Sequence, residues 1–274
     1  MPNSNKNVLI LGKSNKQNNR IEIKNQTEES AELFFYGDIC AETWQSKLYE
    51  EDKAPKDVVD FLNQLDGVST IHVHFNSGGG SVYGGIAIKN LLKAHNAKTI
   101  GYIDGIAASI AGVILMACDE IHVHTSSIFM MHKPLTYAIG NADDFSKEIE
   151  ALDTCQEAIT NVFMEKAKDG VSREKITELI NAETWLTGDQ LTEYFNDVII
   201  EESSQAVASV GSEFFDKYKN VPASLKNQNT AEKPILDKDE VQKMIDKALK
   251  EKDAEEKDKI EKEKTKLLND VDLI

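Results

Sequence analysis

STIHVHFNSGGGSVYGGIAIKNLLKAH, residues 69–95, contains the change of pattern on which the fold turns. Ile71, Val73 and Phe75 alternate with His72 and His74, the two-residue repeat of a strand with one buried face. Three glycines, Gly78 to Gly80, end the strand, and SVYGGIAIKNLLKAH (81–95) reads as a helix in which Gly84 and Gly85 predict close packing. The same unit recurs on both sides. AELFFYGDI (31–39) predicts a strand running into a turn, and PKDVVDFLNQLD (55–66) an amphipathic helix opened by proline, with Val58, Val59, Phe61, Leu62 and Leu65 apolar. Further on come a strand at 98–104 (KTIGYID), a helix at 105–118 (GIAASIAGVILMAC) and a strand at 119–134 (DEIHVHTSSIFMMHKP). Short strand–turn–helix repeats of this kind imply an α/β architecture with largely parallel pairing. IHVH occurs at 71–74 and again at 121–124, a weak structural repeat.

Beyond this region, residues 141–168 form one long charged amphipathic helix, apolar at Phe145, Ile149, Leu152, Ala158, Ile159, Val162 and Phe163. It is too long for one sheet and is predicted to project toward a partner. Residues 173–199 predict two short helices around an extended piece containing Trp185. The organisation follows: an N-terminal arm at 1–30, a main domain at 31–200, a linker at 201–235 with an apolar patch from Val207 to Phe215, and a Lys/Glu-rich tail at 236–274. The tail carries one helical stripe (Val241, Met244, Ile245, Ala248, Leu249) that is not sustained, so it reads as a marginal helix or solvated chain and not a coiled coil.

With 274 residues, 41% of them hydrophobic, the chain can bury a substantial core. Its net charge of −16 argues against nucleic acid as a partner, because phosphate contacts need basic surface. Residues 237–266 hold 11 acids and 10 bases, so the acidity belongs to the body. Cys40, Cys118 and Cys155 are far apart and odd in number, the pattern of reduced thiols in a cytoplasmic protein. The polar N-terminus shows no signal peptide. The longest apolar run, Gly105 to Cys118, falls short of the roughly 20 residues of a membrane span.

Three segments could carry chemistry. In GIAASIAG (105–112) Ser109 is the one polar side chain, at the predicted start of a helix. It is either a hydroxyl bonded to its own backbone or a nucleophile in bare surroundings, with the Ile110 N–H aimed at a developing oxyanion. NSGGGSV (76–82) exposes backbone N–H groups. It lacks the Lys-Ser/Thr of a phosphate loop and the GxGxxG spacing, which leaves a plain turn or a second oxyanion donor at Gly80, with Gly79 and Gly80 along a substrate strand. In MMHKP (130–134), His132 ends a strand just before Pro134. His72, His74, His122 and His124 could bind metal as HxH pairs, but with no acid at useful spacing they read as the polar face of two strands, and no metal site is predicted. His95 reads as a helix C-terminal residue.

Taken together, NSGGGSVYGGIAI, GYIDGIAASIAGVILMACDEIHVHTSSIFMMHKP, the long helix and ETWLTGDQLTEYFND resemble the ClpP-type serine peptidases, more closely their phage prohead (head maturation) branch, over about residues 30–200. The resemblance implies a ClpP/crotonase-like fold of repeated ββα units with a projecting handle helix. It implies Ser109 as nucleophile, His132 as general base, and the Gly80 and Ile110 N–H groups as oxyanion donors. The family's triad acid matches Glu183, where Asp is the commoner residue, and Asp189 is the fallback. Gly78 stands where the family often has Pro, and Lys133, expected to face solvent, where it often has Gln. The implied function is ATP-independent serine endopeptidase cleavage of capsid or scaffold proteins, with no cofactor, in a homo-oligomeric ring such as a stacked heptamer, within the prohead in the host cytoplasm. Two other readings stay beside it: a catalytically weak or inactive capsid assembly protein on the same fold, which the Lys/Glu-rich tail suits, and a crotonase-type acyl-CoA enzyme, which would not need the Ser–His pair.

Overall fold

The structure, a computed structural model, describes residues 30–42, 52–65, 67–201 and 217–222. The predicted tail, the Val207–Phe215 patch and all of the predicted arm but Ser30 lie outside these residues. The elements in chain order are β1 (Ser30–Phe35), α1 (Pro55–Leu62), β2 (Thr70–Ser77), α2 (Val82–Ala94), β3 (Lys98–Ala108), α3 (Ile110–Leu115), β4 (Glu120–Val123), β5 (Ile128–Met131), α4 (Ala142–Lys166), α5 (Arg173–Asn181), β6 (Thr184–Thr187), α6 (Gly188–Tyr194) and β7 (Val198–Ile200).

The strands build one sheet in the order β1-β2-β3-β4-β7, with β5 on β3 and β6 on β5. All pairs are parallel except β5–β6. This is the mostly parallel α/β sheet that the strand–helix alternation predicts, since parallel neighbours need a crossover between them. Ile71, Val73 and Phe75 are fully buried, and α1, α2, α3 and the end of α4 contribute Val58, Phe61, Ile88, Leu92, Val113, Ile114 and Phe163 to the same core.

On the opposite face of the sheet the predicted polar positions pair sideways. His74 Nδ1 meets Asp104 Oδ2 at 2.8 Å, His72 Nδ1 meets the Tyr102 hydroxyl at 3.0 Å, and His122 pairs with Glu201. The His74 ring stacks between Phe34 and Tyr102 at 4.6 and 4.8 Å. Among the described residues no group of three His, Cys, Asp or Glu could hold a metal ion. Among them, too, no helix is long and apolar enough to cross a membrane, and all three cysteines are free.

Strand β3 is the element that departs most from expectation. Its first half pairs with β4 through Ile100–Ile103 and its second half with β5 through Ile106–Ala108. Residues 105–108, expected in a helix or turn, are therefore strand, and the helix is confined to Ile110–Leu115. Ala favours helix and neither Gly nor Ala favours strand, but pairing with Ile128, Phe129 and Met130 overrides that local preference. The expected strand at 119–134 is likewise two strands. Ser127 separates them: its N–H donates to His124 O at 2.9 Å and its hydroxyl to Ile103 O at 2.6 Å. The first predicted helix stops at Leu62.

Helix α4 is capped by Asn141, whose side chain accepts from the Asp143 and Asp144 N–H groups. Its buried residues, Ile159, Thr160, Val162, Phe163 and Lys166, all lie near its C-terminal end. The Lys166 ammonium donates to Asp119 O at 3.0 Å and pairs with Asp197 at 2.9 Å, tying this end to β4 and β7. At the other end Phe145 and Ile149 are 46% and 59% exposed, and the preceding loop exposes Leu135, Tyr137 and Ile139.

Candidate active site

Strand β3 delivers Ser109 to the point where the chain turns from sheet to helix. The turn is sharp enough to put Ser109 at φ 56°, ψ −125°, a region that side-chain-bearing residues rarely enter. Its neighbours hold it there: the Ser109 N–H donates to Met130 O at 2.8 Å, Ser109 O accepts from Val113 N–H at 3.3 Å, and Ala108 and Ile110 on either side are buried. A hydroxyl on such a strand-to-helix corner stands clear of its own backbone.

What it meets is His132. Ser109 Oγ and His132 Nε2 lie 2.7 Å apart, a full hydrogen bond. β5 sets this distance, because Met130 pairs with Ala108 and places the next residues beside the serine. Burial pushes the His132 pKa down to about 4, against a smaller upward pull from Glu183, so the imidazole is neutral at pH 7 and able to accept a proton. Lys133 is exposed, as expected.

The glycine turn stands on the other side of Ser109. Gly79 and Gly80 have φ of 108° and 148°, and the approach is tight. A Cβ on Gly79 would lie 2.8 Å from Ser109 Cβ, and one on Gly80 would lie 2.1 Å from Ile39 O. Ile39 N–H donates to Gly79 O at 2.8 Å and Ser81 N–H to Ile39 O at 2.7 Å. That parallel pairing turns the Gly80 N–H away from Ile39. Ile110 opens α3, where the first N–H groups have no acceptor within the helix. The two predicted oxyanion donors thus flank Ser109 with their N–H groups uncommitted among the described residues. A small apolar cleft adjoins the pair, walled by Val82, Val113, Met131, Pro134, Ile159 and Phe163.

Glu183 is near His132 but not bonded to it. At φ 51° it precedes β6, and its carboxylate accepts the Lys219 N–H at 2.8 Å, the Asn220 N–H at 2.5 Å and the Trp185 indole N–H at 3.4 Å. Nδ1 of His132 has no hydrogen-bond partner among the described residues. The fallback acid, Asp189, is exposed in the first turn of α6, a helix capped by Thr187.

The residue that sequence reasoning missed is Tyr218, within the stretch taken for linker. It is 6% exposed and packs with Val221 against Ile106, Ala108 and Met130. Its ring lies edge-on to His132 at 4.7 Å, and its hydroxyl donates to Gly78 O at 2.6 Å and lies against the Ser109 hydroxyl. Burial raises its pKa well above the ordinary tyrosine value. A linker is expected to be polar, and the one signal available was an aromatic followed shortly by Val-Pro in an otherwise polar stretch.

A hydroxyl bonded to a neutral imidazole, at a helix start and between two free N–H groups, can be activated for attack on a carbonyl. A model of the Clp protease family matches residues 48–203, and the chain belongs to that family of peptidases. Relatives include the ATP-dependent Clp protease proteolytic subunit of Bacteroides fragilis, 25% identical over 146 residues that cover 52% of this chain and 70% of that protein. Proteolytic subunit 3 of Rhodococcus jostii is 30% identical over 137 residues, covering 48% and 66%. Proteolytic subunit 2 of Pseudomonas aeruginosa is 27% identical over 158 residues, covering 56% and 78%.

Proposed function

We propose that the chain is a serine endopeptidase with Ser109 as nucleophile and His132 as general base. The observation that carries this is the 2.7 Å Ser109–His132 hydrogen bond at the strained corner beside Gly79 and Gly80. In this mechanism His132 Nε2 takes the Ser109 proton as Oγ attacks a peptide carbonyl. The Gly80 and Ile110 N–H groups hold the oxyanion, and His132 then protonates the leaving amine. Water, deprotonated by the same imidazole, hydrolyses the acyl-enzyme and restores Ser109. Glu183 serves as the acid only once its carboxylate reaches His132 Nδ1, which it would then orient and support. The chemistry uses side chains and water, so short peptides would be cut without a nucleotide.

The narrower assignment, a prohead maturation protease acting on capsid or scaffold proteins, is supported by the motif resemblance and by the Lys/Glu-rich residues after 236, which suit a scaffold-like tether. A ring is supported by family membership and by the exposed apolar residues of α4 and the loop before it. The Ser–His bond favours this reading over an acyl-CoA enzyme, which has no use for it. Labelling with a fluorophosphonate tests it. The wild type should label, Ser109→Ala should not, and His132→Ala should label at least 100-fold more slowly, the scale of a lost general base. Failure of both folded wild type and folded Tyr218→Ala to label would instead support an inactive assembly protein.

A further inference from the structure

Residues 217–222 do something in this site that the proposed chemistry does not require. Three contacts converge. The Tyr218 hydroxyl takes Gly78 O at 2.6 Å, a carbonyl on the glycine segment along which a substrate strand would lie. The same hydroxyl lies against Ser109, and the ring covers His132 edge-on at 4.7 Å. One and two residues later, the Lys219 and Asn220 N–H groups hold the Glu183 carboxylate at 2.8 and 2.5 Å, while the Asn220 side chain donates to Ala182 O at 3.0 Å. A donor occupies the place of a substrate amide, a ring fills the space above the base, and the acid is drawn onto two backbone amides.

We propose that residues 217–222 are an intramolecular strap that occupies the catalytic groove in the manner of a substrate and keeps the peptidase latent until it is displaced. The inference rests on the serine peptidase reading above. The strap acts on substrate access and on the orientation of the base at once. While Tyr218 is seated, a peptide backbone cannot take Gly78 O. While Lys219 and Asn220 hold Glu183, His132 Nδ1 lacks the carboxylate that would fix its tautomer. Displacement frees both together, because the two contacts belong to consecutive residues of one short segment. The seat of Tyr218, walled by Ile106, Ala108, Met130, Trp185 and the His132 ring, then becomes a subsite shaped for an aromatic side chain of the substrate.

The test compares second-order rate constants for fluorophosphonate labelling of the full chain as wild type, Tyr218→Ala, Tyr218→Phe and Ser109→Ala. Tyr218→Ala should label at least tenfold faster than wild type. Tyr218→Phe, which keeps the ring but loses the donor to Gly78 O, should fall between the two. If Tyr218→Ala labels no faster than wild type while Ser109→Ala stays silent, the strap is overturned and the peptidase reading stands. If no form labels at all, the peptidase reading fails and takes the strap with it. Should Tyr218→Ala not fold, Tyr218→Phe decides alone: faster labelling supports the strap, and an equal or slower rate overturns it.

Discussion

Ser109 and His132 are set by opposite means, one by backbone strain and the other by desolvation. A non-glycine residue at positive φ with extended ψ costs on the order of 1–3 kcal/mol, and the cost is met by the buried chain on either side of it. His132 is held as a half-buried neutral ring, with a pKa near 4 against an ordinary value near 6.5. The unfolded chain therefore takes up a proton there before the folded one does. The resulting stability is whole above about pH 6.5 and is lost as pH falls toward 4, about 2 kcal/mol of it by pH 5. Urea midpoints at pH 7 and pH 5 should show a larger loss for wild type than for His132→Gln. Labelling of the wild type should stay level from pH 8 to pH 5. In Tyr218→Ala, where solvent and Glu183 reach the ring, the acid limb should move up toward pH 6.5.

Two elements carry the site, β3 from below and the end of α4 from the side. Phe163 of α4 is fully buried and meets Phe129 of β5 at 6.1 Å and Phe195 after α6 at 5.9 Å, besides walling the cleft next to His132. Phe163→Ala should cost about 3–5 kcal/mol in chemical denaturation and slow labelling as β5 loses its support. These elements also mark what the sequence could convey. The alternation in β2, the proline opening α1, and the glycine turn and helix that follow it are local signals, and they place the corresponding elements within a few residues. The boundary at Ser109 was not local. Gly-Ile-Ala-Ala is strand because β5 pairs with it, and no window along the chain contains that pairing. Ser109 and His132 could be proposed as partners from the resemblance of their motifs to a known family, whereas the diversion of Glu183 could not. It depends on amides 36 and 37 residues further on, in a stretch whose composition reads as linker.

At the scale of the molecule, the C-terminal end of α4 is anchored while its N-terminal half and the loop before it expose Leu135, Tyr137, Ile139, Phe145 and Ile149. On the ring reading proposed above, these apolar groups would form the association surface. If that reading holds, Ile149→Glu should leave the circular dichroism spectrum unchanged and lower the sedimentation coefficient relative to wild type.

The order of the chain adds a consequence of its own. Ser109, His132 and Glu183 all precede β7, and the described strands of the sheet end at Ile200, whereas Tyr218 follows about 20 residues later. At ribosomal speeds of roughly 5–20 residues per second, this cover emerges about 1–4 s after the last strand. During that interval a nascent peptidase domain has its groove open beside its own unfinished chain. Self-restraint of this kind begins only when translation has passed the domain it restrains.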